Sequence, residues 1–137
     1  MLTNKDYCDY ETCVALRNLG FREKCVAYYD TADNVGLLFN TQYTCDVIPC
    51  QYCDLLESRN TDAEYEVDAP TLYEAQKWLR EDKNLHIEIT YSPSCWTGKI
   101  YDLKKWDYIK GFTFFESFED TFHTLIKEAV KILKEEK

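Results

Sequence analysis

Cys45, Cys50 and Cys53 stand in the spacing C-x4-C-x2-C, where side chains able to hold a metal crowd together. A turn brings the two sulfurs of a Cys-x2-Cys pair toward one ion, and Cys95 further along supplies a fourth thiolate. Cys8 and Cys13 are alternatives for that fourth position. Such a set would take zinc or an iron–sulfur cluster. Two features weigh against a metal centre. The gaps hold Asp46, Val47, Ile48, Pro49, Gln51 and Tyr52, whereas an iron–sulfur loop needs small residues that aim backbone N–H groups at the sulfides. Zinc sites more often show two close pairs, and only one is present. Free cysteine is also a common small hydrophobe of protein cores. The expectation is therefore no cofactor, with zinc on Cys45, Cys50, Cys53 and Cys95 as the alternative.

Cys50-Gln51-Tyr52-Cys53 also has the C-x-x-C spacing of dithiol redox enzymes. Those enzymes lower a thiol pKa with a helix N-terminus or nearby cations, and Asp46 and Asp54 carry the wrong charge for that. The two histidines are His86 and His123. His86 shares the polar side of a predicted strand with Glu88, and His123 sits at the edge of a helical apolar stripe. No local motif places two catalytic groups together, so the chain reads as non-enzymatic.

Trp96, Lys99, Tyr101, Lys104, Lys105, Trp106, Tyr108 and Lys110 interleave rings and cations. On a sheet this mixture could stack bases and meet phosphates. The helix–strands–helix order around it resembles that of double-stranded RNA binding domains. Those domains place basic side chains at the start of the final helix, where this chain has Glu119 and Asp120. The competing reading is a hairpin with core aromatics and solvated lysines, and nucleic acid is not the expected partner. The acidic run Asp54, Glu57, Asp62, Glu64, Glu66 and Asp68 is opposed only by Arg59 and lacks the glycine turn of a calcium loop. An acidic surface of this kind can imitate DNA and block a DNA-binding partner, although most such runs are solvated faces.

The elements that must position these residues follow from the rest of the chain. Its 137 residues are 45% hydrophobic and 15% aromatic, with four Gly and three Pro, enough for one domain with its own core and few linkers. The net charge is −9. Up to Pro70 there are five basic and thirteen acidic side chains, and beyond it eleven and twelve. No segment approaches the roughly 20 apolar residues of a membrane span, and the amino terminus lacks the apolar stretch of a secretory signal. A cytoplasmic protein with seven free thiols is expected.

The spacing predicts a first helix over Tyr10 to Leu19, ended by Gly20 with Phe21 folding back on Leu16. Strands at Cys25–Asp30 and Val35–Asn40 form a hairpin. From Thr41 to Ala69 the chain reads as an irregular excursion with one short strand near Tyr65 and Val67. Thr71 and Glu74 make a capping box for a second helix whose buried stripe is Leu72, Ala75, Trp78 and Leu79, with Asn84 as its left-handed terminator. Leu85 to Tyr91 alternates as a half-buried strand, and further strands fall within Gly98–Leu103 and Gly111–Phe115. Ser117 caps a last helix whose stripe is Phe118, Phe122, Leu125, Ile126, Ala129, Val130 and Leu133. The expected fold is α+β: an antiparallel sheet with helices packed on one face, in the order α-β-β-(irregular)-α-β-β-β-α, as one domain over residues 1–137.

Ala69-Pro70-Thr71, the run Ala75 to Glu81, the strand His86 to Ile89 and the closing Ser117-Phe118-Glu119-Asp120 carry a resemblance. About the second half of the chain is similar to a group of small proteins of gut Bacteroidetes and the phages and mobile elements associated with them. The group has no established activity, so the resemblance implies a genomic setting and no functional residues. The function expected from the sequence is a small accessory protein acting by contact with another protein or with itself. The alternatives are a cysteine-ligated metal protein and an acidic DNA mimic or inhibitor.

Overall fold

Helix ends carry the clearest local signals in this sequence, and each forms as its residues dictate. The computed structural model describes residues 4–31, 36–40, 60 and 65–135. Helix α1 (Tyr10–Asn18) starts at Asp9, whose carboxylate accepts from Thr12 N at 2.9 Å. It ends in a Schellman turn: Gly20 takes φ 106°, Phe21 N donates to Leu16 O at 3.0 Å, and Gly20 N donates to Arg17 O at 3.1 Å. Leu16 and Phe21 are both buried, the hydrophobic contact that accompanies this turn.

The described residues fall into two compact units. In one, α1 packs on a three-stranded antiparallel sheet of order β2-β1-β3, made of β1 (Ala27–Asp30), β2 (Leu37–Phe39) and β3 (Glu66–Ala69). Ala27 pairs with Ala69 and Tyr29 with Val67, so these four share a face, and Ala27, Val67 and Ala69 are buried there. Arg17 Nη1 ties α1 to the sheet by donating to Glu66 O at 2.9 Å. The hairpin of β1 and β2 is the expected one, and β3 is the short strand within the excursion.

The other unit joins α2 (Leu72–Lys83), β4 (Leu85–Ser92), β5 (Cys95–Asp102), β6 (Asp107–Phe115) and α3 (Phe118–Glu135). The capping box is complete, with Glu74 N donating to Thr71 Oγ1 at 3.1 Å and Thr71 N to Glu74 Oε1 at 2.9 Å. Asn84 sits at φ 58°, turning the chain directly into β4. The three strands run antiparallel in the order β4-β5-β6, and α2 and α3 pack on the sheet and on each other. Leu85, Ile87, Gly98 and Ile100 are buried on that side. A Cβ built at Gly98 would sit 2.9 Å from Leu125 Cγ, so the buried Leu125 side chain of α3 fills the space that Gly98 leaves on β5. Gln76 Nε2 donates to Ile87 O at 3.0 Å, occupying a carbonyl of the edge strand β4. The fold is α+β as expected, but with two three-stranded sheets. No described helix is long and apolar enough to cross a membrane.

Candidate functional site

Of the four cysteines singled out from the sequence, Cys45, Cys50 and Cys53 lie outside the described residues, as do Asp54, Glu57, Asp62 and Glu64. Cys95 opens β5, half-buried, as the register partner of Ser92. Cys8, Cys13 and Cys25 are buried. Among the described residues, no group of three or more His, Cys, Asp or Glu side chains could hold a metal ion. Glu66 and Asp68 belong to β3, paired with Asp30 and Tyr28.

His86 and Glu88 both lie half-buried on the side of β4 away from the helices, as alternation requires. His123 Nε2 lies 3.0 Å from Lys5 O; a carbonyl only accepts, so Nε2 carries the proton of this bond. His86 packs against Tyr101 at a centroid distance of 6.3 Å, with Glu88 two residues along the same face.

The structure differs from the sequence reading in its aromatics. Phe118 belongs by spacing to the buried stripe of α3, yet it is 39% exposed, because the stripe enters the core only from Thr121 and Phe122 onward. Its ring instead continues a surface chain of edge-to-face contacts. Centroid distances are 5.7 Å from Phe122 to Phe118, 5.4 Å from Phe118 to Trp96 and 4.9 Å from Trp96 to Tyr91. Such pairs are worth roughly 0.5–1.5 kcal/mol each beyond their buried area, so the buried Phe122 and half-buried Trp96 hold the exposed Phe118 and Tyr91 in place.

The buried end of this chain opens into a groove of about 310 Å³ between the first turns of α2 and α3. Leu72 and Phe122 form its buried floor, and Tyr73 and Phe118 its exposed walls. Asp6 and Glu119 stand at its rim. Each helix start is capped, α2 by its capping box and α3 by Ser117 Oγ accepting from Asp120 N at 3.1 Å. With Asp6 and Glu119 beside it, the groove offers apolar surface and negative charge. Spacing along the chain does not reveal this groove, because its four apolar residues come from two helices that only the fold brings together.

The hairpin aromatics are also not core. Trp106 is 90% and Tyr108 57% exposed, and Trp96 and Tyr101 are half-buried. No protein family, curated protein or solved structure matches this chain.

Proposed function

We propose that this chain is a small non-catalytic accessory protein that binds a segment of another protein in the groove between α2 and α3. The observation that carries the reading is the run of rings Tyr91–Trp96–Phe118, which leads from the surface to the buried Phe122 at the floor of an apolar groove. Exposed aromatic surface rimmed by polar groups marks interaction sites. Aromatic anchors in small pockets carry most of the energy of protein contacts. A volume of about 310 Å³ lies at the bottom of the range for small-molecule pockets and suits one large side chain of a partner. Asp6 and Glu119 at the rim favour a segment whose apolar anchor is flanked by lysine or arginine.

Peptide display against the purified chain tests this. Selected peptides are expected to carry a bulky apolar residue beside basic ones. Phe118→Asp should weaken their binding more than tenfold, and Tyr73→Ala should weaken it by a smaller factor. Peptides without that pattern, or binding unaffected by Phe118→Asp, would sink the reading.

A further inference from the structure

We propose that the open face of the β4-β5-β6 sheet binds single-stranded nucleic acid, with bases stacking on Tyr101, Tyr108 and Trp106 and phosphates meeting Lys99, Lys104 and Lys105. This site is separate from the groove and goes beyond the function proposed above.

The helices cover one side of the sheet. On the other, register sets His86, Tyr101 and Tyr108 in one row across three strands, at centroid spacings of 6.3 and 5.9 Å. The next row is Glu88, Lys99 and Gly111. Gly111 shapes the platform. A Cβ there would lie 3.3 Å from Tyr108 Cζ, with the hydroxyl closer still, so Tyr108 leans across the glycine and leaves much of its ring open. This placement also shields the glycine backbone, as aromatic residues do elsewhere in sheets, but that role does not require Tyr101 beside it or Trp106 at the end.

Trp106 is presented by a fixed turn. Asp102 Oδ1 accepts from Lys104 N at 2.9 Å and Lys105 N at 3.1 Å, and Trp106 itself adopts φ 58°. A left-handed tryptophan, 90% in water, is costly in both conformation and hydration. The same turn projects Lys104 and Lys105. Neither they nor Lys99 form an ion pair with a described residue, whereas Lys110 is engaged by Glu128 at 3.2 Å.

Rings in a row together with unpaired cations match an extended polyanion with flat, unpaired bases. A duplex hides its base faces, so it cannot use such a platform. An anionic membrane would engage the Trp106 turn but not the row of rings along the strands. Glu88, which accepts from Thr90 Oγ1 at 3.4 Å, is the carboxylate within the platform. The net charge of −9 sets a repulsive background, so binding should be strong only at low salt.

Fluorescence anisotropy with labelled oligo-dT and oligo-U of about 16 nucleotides, at low salt, tests the proposal. Either strand binding, with affinity falling as salt rises, supports it, and the preferred strand identifies the sugar. Tyr101→Ala and Tyr108→Ala should each weaken binding about tenfold. Lys104→Glu with Lys105→Glu should weaken it and flatten the salt dependence, and Glu88→Gln should tighten it. Bound oligonucleotide should also quench tryptophan emission, and Trp106→Leu should abolish that quench. Phe118→Asp, which disables the groove, should leave oligonucleotide binding unchanged. The proposal is overturned if neither oligonucleotide binds, if the tyrosine variants bind as wild type while melting normally, or if anionic phospholipid vesicles quench Trp106 where oligonucleotides do not.

Discussion

At the scale of single residues, Phe118 and Phe122 show how one turn of helix separates a surface ring from a core ring. They are four positions apart on one face of α3, yet Phe118 is 39% exposed and Phe122 is buried. Phe122→Ala should cost about 3–5 kcal/mol by emptying core volume, and Phe118→Ala should cost less, about 1–3 kcal/mol, from the loss of its two ring pairs with Trp96 and Phe122. Urea denaturation of the two variants checks the pair, and equal losses would mean that Phe118 is core after all. Gly98 makes the converse point. Gly98→Ala places a methyl group against the buried Leu125 and should destabilise by about 1–3 kcal/mol. Combining it with Leu125→Ala should cost less than the two losses added together, because both changes act on one contact.

At the scale of elements, the caps were legible because they are local. A capping box needs Thr71 and Glu74 three residues apart, and a Schellman end needs Gly20 and a following apolar residue; no distant contact enters. Thr71→Ala should therefore lower stability by about 1 kcal/mol, read as a lower thermal midpoint. The strands were legible in kind but not in extent. β5 and β6 begin earlier than their alternation suggested, at Cys95 and Asp107, because register with β4 and with each other extends the ladder through Trp96 and Tyr108. Register also turned aromatics that looked like core into surface rows, since pairing decides which face a residue occupies.

For the molecule as a whole, charge is distributed by unit. The acidic excess sits before Pro70, while the unpaired lysines of the open sheet come after it. A net charge of −9 thus describes no single surface of the chain. The cysteine question also belongs to this scale, because Cys45, Cys50 and Cys53 come from one stretch and Cys95 from the start of β5. Under the interaction reading, protein purified without chelator should hold far less than one equivalent of zinc or iron by elemental analysis. A full equivalent, lost in Cys95→Ser, would put the metal reading in its place.

The sequence by itself determined the helices, their caps, the alternating strand β4 and the α+β class, because each rests on contacts within one turn or on a period of two or 3.6 residues. Only the tertiary structure decided where the rings go. Leu72 and Tyr73 meet Phe118 and Phe122 across two helices, and Tyr101 finds His86 and Tyr108 through strand register. Neither neighbourhood is encoded by spacing along the chain, because it depends on which face each element buries. The two candidate surfaces of this protein therefore emerged from burial and pairing, while the cysteine spacing that first drew attention lies outside the described residues except at Cys95.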